Sequence, residues 1–308
     1  MFVLLVCMGQ SPYNRSIWLG MARGFEKQGC KVQVVDATQI PPPGSMDVLP
    51  DLLFVVHGGN TPEEAVRQYK RAGVPTAVFL LDEPYEVDQS VLWARYYDWV
   101  FPVDRSTVET HRQHSHAAHL PCGYDDTVFC PDGPTIKSSI LMLGSCFTTR
   151  ENLLATSIKK FGHLFTWVGP GWQQISSAGI HYNRLVTPEE CAMFYRGADI
   201  TLNIHRDSTW SHFGELNKQN LDATHLNPRF WEAAACGGFP LCSYRADLDI
   251  YAKQAASFSS EEELVRKLGY FTKNANARKK QTQLLLRVVR RHSYKERAKT
   301  VLDLVSTR

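Results

Sequence analysis

The chain has 308 residues, enough for two domains, with 44% hydrophobic and 21% charged residues and a net charge of +3. That is the profile of a soluble globular protein; the net charge is too small to imply a nucleic-acid partner, and no apolar run reaches the ~18 residues of a membrane helix, which excludes integral membrane association. Eight scattered cysteines without a Cys-x-x-Cys pair point to reduced thiols and a cytoplasmic location rather than a disulfide framework or a zinc site.

Phe2–Met8 reads as a buried strand. It has neither the basic leader nor the small-residue cleavage site of a signal peptide, and a Gly9-Gln-Ser-Pro turn follows at once. Ser16–Gln28 reads as a helix with Ile17, Met21 and Phe25 on one face. Strands follow at Lys31–Val35, ending at Asp36, and at Asp51–His57, closed by Gly58-Gly59-Asn60. Thr61 is placed to cap a helix running to Arg71, with Glu63 and Glu64 in its first turn. Pro75–Leu81 is a strand ending in Asp82-Glu83-Pro84, and after a short helix comes Tyr97–Val103. Residues 121–137, with three prolines and two glycines, read as an interdomain linker. The pattern then restarts: strands at Ser139–Leu143, Phe165–Val168, Asp199–Ile204 and Phe239–Cys242, helices at Arg150–Lys160, Pro188–Tyr195 and Pro228–Cys236. Strands alternating with helices predict parallel, doubly wound sheets, hence an α/β protein with Rossmann-like domains at 1–133 and 134–290 and their sheets facing an interdomain cleft. Parallel sheets bind ligands at the carboxyl ends of their strands, which suits a two-substrate enzyme.

The segment richest in chemistry is Asn227-Pro-Arg-Phe-Trp-Glu-Ala-Ala-Ala-Cys-Gly-Gly-Phe-Pro-Leu241. Pro228 suits a first helical turn, Arg229 and Glu232 share a helix face, and Gly237-Gly238 end the helix and let backbone approach a ligand. A helix start with an Arg favours phosphate, and a carboxylate accepts from ribose hydroxyls. An ordinary amphipathic helix with an i,i+3 ion pair carries the same pattern.

Glu232-Ala-Ala-Ala-Cys-Gly-Gly-Phe-Pro-Leu241 resembles the Glu-Ala-x-Ala-x-Gly-x-Pro segment of retaining GT-B glycosyltransferases, and in detail the CgeB-type, spore-maturation family of glycosyltransferase-like proteins. Further pieces resemble that family in the same order: Thr76–Pro84, Tyr97–Asp104, Leu120-Pro121 with Gly123 and Pro131, Leu143-Gly-Ser145 with Arg150, Tyr195–His205, and His292-Ser-Tyr-Lys-Glu-Arg297. The resemblance runs from about residue 75 to the end of the chain. It implies a GT-B fold, with 291–308 forming a helix, about Tyr294 to Val305, that crosses back to the N-terminal domain. It also implies transfer of a sugar from a nucleotide-diphosphate donor, a UDP-sugar first among them, without a metal or resident cofactor. By resemblance Glu232 holds the donor ribose, and Arg229 and Arg150 hold the diphosphate through two-pronged guanidinium contacts. Gly144 and Ser145 form the turn beside the phosphates, His205 and Asn227 border them, and Gly169-Pro-Gly171 lets the base lie against backbone. Arg206 ends the same strand and reads more simply as surface. Many retaining relatives carry a second glutamate eight positions before Glu232; here Thr224 stands there. That departure keeps open a non-catalytic sugar-nucleotide-binding or structural protein on the same fold.

In the N-terminal half, Gly9–Asn14 follows the first strand, and His57 and Asp82 end neighbouring ones. Either side chain suits the base that takes an acceptor proton; Asp82 also suits a turn before Pro84. The acceptor is a protein, a glycan or a modified nucleic-acid base, and DNA is not the favoured choice. Crowded His111, His114, His116 and His119 fit a polar helix end running into a strand, and Asp247-Leu-Asp249 fits a surface loop. Ten basic residues and one acid lie between Lys273 and Lys299, either a solvated face or a patch for an anionic surface. The absence of Gly-x-Gly-x-x-Gly after the first strand argues against a dinucleotide oxidoreductase.

Overall fold

The computed structural model describes residues 1–9, 14–146, 148–207 and 214–307; most of the Gly9–Asn14 segment lies outside them. The chain divides into two compact units. One contains residues 1–125, the segment ending at His225 and the residues from Ser293 onward; the other contains 126–207 and 226–292.

The first unit is built on a parallel sheet of β1 (Phe2–Cys7), β2 (Lys31–Asp36), β3 (Leu52–Val56), β4 (Thr76–Leu80), β5 (Trp99–Pro102) and β6 (His116–Ala117), ordered β2-β1-β3-β4-β5-β6. The strands β3 and β4 are buried along their whole length. This is why they read as unbroken apolar runs: helices cover both faces of a parallel sheet. Its helices are α1 (Arg15–Lys27), α2 (Glu63–Arg71), α3 (Val87–Ala94) and α4 (Val108–Arg112). The cap of α2 falls on Pro62, without a side-chain bond.

The second unit carries a parallel sheet of β7 (Ser138–Leu143), β8 (Phe165–Val168), β9 (Ile180–Tyr182), β10 (Ala198–Asn203), β11 (Pro240–Ser243) and β12 (Ser257–Phe258), ordered β12-β11-β10-β7-β8-β9. Around it lie α5 (Thr148–Phe161), α6 (Pro188–Gly197), α7 (Pro228–Ala235), α8 (Asp247–Tyr251), α9 (Glu261–Phe271) and α10 (Ala275–Val289). A full capping box, Thr187 with Glu190, starts α6. The Asp247-Leu-Asp249 sequence forms the first turn of α8, not a surface loop: Asp247 is buried, and Asp249 accepts from the Tyr244 hydroxyl at 2.6 Å.

The last helix, α11 (Tyr294–Val305), packs on α1 within the first unit. Gly20 and Gly24 make that approach possible, since a Cβ at either would overlap Tyr294, and at Gly24 it would strike its backbone carbonyl. Arg297 donates from Nε to Pro121 O at 2.8 Å and from Nη2 to Cys122 O at 3.1 Å. The Tyr294 amide donates to Tyr124 O at 2.9 Å.

Residues 214–225 belong with the first unit because buried Asp104 gathers their donors. Its carboxylate accepts from Thr224 N (2.7 Å), Thr224 Oγ1 (2.8 Å), His225 N (3.0 Å) and His225 Nδ1 (2.9 Å), and from Ser106 N and Oγ. Upstream, Lys218 N donates to Asp88 at 2.8 Å.

The histidine-rich stretch does run from α4 into β6. Within it, His119 is held well below its ordinary pKa of 6.5, to about 4, chiefly because burial disfavours the cation. The unfolded chain therefore takes up a proton below pH 6.5 that the native state refuses until about pH 4. Stability should fall across that window by about 3 kcal/mol. Urea midpoints at pH 7.5 and pH 5 would show it, and the difference should shrink in His119→Gln.

Candidate functional site

In the second sheet β8 and β9 are added on one side of β7, and β10, β11 and β12 on the other. The order therefore reverses between β7 and β10, the place where open parallel sheets bind ligands beyond their carboxyl ends. Gly144 follows β7 with φ +122. A Cβ there would overlap Arg229 Nη1 and lie 3.5 Å from Arg150 Nη1, so the missing side chain is the space both guanidinium groups reach into. Each guanidinium is aimed by a carbonyl: Arg229 Nη1 donates to Leu143 O at 2.9 Å, and buried Arg150 donates to Ser145 O at 2.6 Å. The loop is fixed from below, since Trp172 Nε1 donates to Gly144 O at 2.6 Å and Gly144 N donates to Val168 O at 2.8 Å. Gly169, with φ +124, sits so close that a Cβ would lie 2.5 Å from Gly144 O. The two strand-end loops are thus locked backbone to backbone.

The N-terminus of α7 is tied to the same place. Asn227 caps it, its Oδ1 accepting from Phe230 N at 3.2 Å. The Asn227 and Asn203 amides exchange bonds of 3.1 and 2.9 Å, which fixes the cap at the end of β10. Three residues beyond Arg229, Glu232 is buried and accepts from the Tyr195 hydroxyl at 3.4 Å. Burial and the Glu232 charge push that phenol well above its ordinary pKa. His205, beyond β10, donates its amide to Ser243 Oγ at 2.9 Å, and its Nδ1 lies 3.1 Å from Ser243 O.

The structure thus brings together Gly144, Ser145, Arg150, Arg229 and Gly169, with Asn227 and His205 at the neighbouring strand end. Gly237 and Gly238 are not brought there. They close the far end of α7, about 12 Å away, where Gly237 N donates to Ala234 O and Gly238 N to Ala233 O in a Schellman arrangement. Asn203, Trp172 and Ser243 were not singled out from sequence. Their signals were a polar residue closing an apolar strand and a Trp directly after Gly-Pro-Gly.

In the first unit, His57 and Asp82 meet beyond β3 and β4, with His57 Nε2 2.9 Å from Asp82 Oδ2. His57 has φ +75, a costly conformation for a residue with a Cβ. Gly59 N donates to His57 Nδ1 at 3.3 Å, so the neutral ring carries its proton on Nε2 and hands it toward Asp82 rather than offering a lone pair. Glu86 joins them: one polar atom from each of the three side chains lies within 4.8 Å of the others. Nothing in the sequence marked Glu86 beyond its place four residues after Asp82. Glu83 is buried separately, accepting from Ser90 Oγ and pairing with His111 Nε2 at 3.2 Å.

Known structures share this architecture. The alpha-glucosyltransferase AGT, solved in complex with UDP, has a TM-score of 0.69 at 10% identity over 99% of both chains. Anabaena HepE, solved with UDP and glucose, has a TM-score of 0.65 at 10% identity over the whole of both. The two parallel-sheet units are those of the GT-B fold. Residues 150–303 match the family described as glycosyl transferase-like, and the chain belongs to it. Spore protein CgeB of Bacillus subtilis (strain 168) is 23% identical over 207 residues, 62% of this chain. The match spans 63% of that relative's length. Among the described residues no helix is long and apolar enough to cross a membrane.

Proposed function

We propose that this protein transfers a sugar from a UDP-sugar to an acceptor hydroxyl. The observation that carries the reading is the Gly144 cradle. A glycine-shaped space at a sheet's switch point receives two carbonyl-aimed guanidinium groups beside the capped N-terminus of α7. A diphosphate is the ligand that two guanidinium groups and a helix start together favour. Leaving-group charge then develops against donors already in place, which is how such a site accelerates transfer without having to reorganise. Glu232 is assigned to the ribose hydroxyls. The UDP in both AGT and HepE complexes supports uridine as the base.

In the first unit Asp82 is assigned as the acceptor's base, with His57 as the positioning residue that donates to it. Asp82 has the roles of both hydrogen-bond acceptor and partly exposed carboxylate, whereas both ring nitrogens of His57 are engaged. Thr224 favours a second reading, a sugar-nucleotide binder without turnover. At the place of a second glutamate, its amide and hydroxyl are both spent on Asp104.

A thermal-shift series with UDP, GDP, ADP and UDP-sugars tests both. UDP or a UDP-sugar at 100 times its Kd should stabilise the chain by ~2.7 kcal/mol, and the shift should vanish in Glu232→Ala. Asp82→Asn should keep the shift and lose UDP release with acceptor present. Binding without UDP release in the unaltered protein establishes the second reading. No shift with any nucleotide removes both.

A further inference from the structure

The helix α10 carries a charge pattern that sugar transfer does not use. Lys279, Lys280, Arg287, Arg290 and Arg291 are all exposed, the last two continuing the turn beyond Val289. Spacings of three, four and seven residues place them on one face, about 18 Å long, opposite buried Leu285 and Val289. Arg278, on the inward side, is already paired with Asp199 at 2.8 Å. None of the five exposed cations has an ion-pair partner among the described residues. The helix sequence contains no acid, and the uncharged positions on the same face are Asn276 and Gln283.

This pattern is not explained by helix stability. Cations help a helix only near its C-terminus, and Lys279 and Lys280 sit in its first half, where the dipole opposes them. Like charges at i,i+3 and i,i+4, as in Arg287 with Arg290 and Arg291, repel each other. Residues 275–291 hold six Lys/Arg and no acid, a local charge of +6 against +3 for the whole chain, so positive charge is concentrated here.

We infer that this face docks the sugar–phosphate backbone of duplex nucleic acid. A row of lysines and arginines neutralises successive phosphates, and Asn and Gln side chains add hydrogen bonds to phosphate oxygens. The exposed residues of the stripe include no aromatic side chain on which unpaired bases could stack, which favours a duplex over a single strand. They include no large apolar side chain to enter a bilayer, which disfavours a membrane-lying helix. Recognition is of charge and spacing, without base readout, and is independent of donor binding.

The test uses the full chain, a fluorescent random-sequence duplex and anisotropy at several salt concentrations. Five phosphate contacts give a slope of about −4.5 in log K against log salt, a roughly 500-fold loss between about 50 and about 200 mM salt. Replacing all five cations by glutamine should abolish binding, while the melting temperature of the free protein stays the same or rises as the repulsion is relieved. The Lys279→Gln/Lys280→Gln pair alone should reduce the slope by about 2. Equal duplex affinity in the five-site variant overturns the inference. So does binding to phosphatidylserine vesicles with no duplex binding at low salt, which would assign the stripe to an anionic membrane.

Discussion

Asp104→Ala should destabilise the first unit by about 3–5 kcal/mol, the range for a buried charge partner removed from its network. The carboxylate is fully buried and is the shared acceptor for the backbone amides of Ser106, Thr224 and His225, the Ser106 and Thr224 hydroxyls and the His225 ring. Alanine leaves these donors buried and unmet, and each such group costs about 1–3 kcal/mol. Asp104→Asn separates charge from volume. It keeps the shape but turns one oxygen into an N–H facing N–H groups, so it should be nearly as damaging. Burial alone would raise this carboxyl; the His225 ring and the Ser106 bonds outweigh it and hold the pKa far below the ordinary 3.8. The sign follows: the network's stability is complete above that ordinary value and drains away as pH falls below it, because the unfolded chain protonates first. Urea midpoints at pH 7 and pH 3.5 for the unaltered protein and both variants would check it. Faster hydrogen exchange at Thr224 and His225 would locate the damage.

Gly144→Ala should weaken UDP binding at least a hundredfold while leaving the second unit folded. The new methyl would occupy the position of Arg229 Nη1 at a backbone φ of +122, where side chains are strained by about 1–3 kcal/mol. The guanidinium, a flexible end, can swing away, so the fold survives. The cost falls on the ligand: Arg229 loses its hold on Leu143 O and its aim into the cradle, and Arg150 is crowded beside it. Loss of one charge-assisted contact accounts for about 1.5–3 kcal/mol, and two misdirected ones exceed a hundredfold. Titration calorimetry with UDP measures it, with circular dichroism as the check on folding. A variant that binds UDP normally would remove the cradle from the donor site.

How far the sequence foretold this depends on range. The end of β7, Gly144 and Ser145 beside it, and the Asn227 cap before Pro228 are local signals: apolar runs stopped by glycine, and a cap before a proline. They were readable without a structure. The Asp104 network was not: apart from Ser106, its donors lie 120 and 121 residues away, and no local period links Val-Asp104 to Thr224 and His225. Two-residue strands such as His116–Ala117 and Ser257–Phe258 are too short to show alternation. Thr61 carried a cap signal, but the cap falls one residue later, on Pro62. The His292-to-Arg297 motif was visible as a motif, yet its residues act structurally. His292 stacks on Trp231 at 4.4 Å in the second unit, while Tyr294 and Arg297 fasten α11 in the first.

That fastening bears on how the chain is made. The groove of Gly20 and Gly24 is synthesised before the whole of residues 126–292, and the helix that fills it only after them. Domains ordinarily fold from the N-terminus as they are synthesised. Here the N-terminal unit lacks the helix that fills this groove until α11 has been made, while residues 126–292 hold the complete second sheet before then. A chain truncated just before Ser293 would therefore hold every residue of the C-terminal unit but an N-terminal unit without α11, the reverse of the usual order.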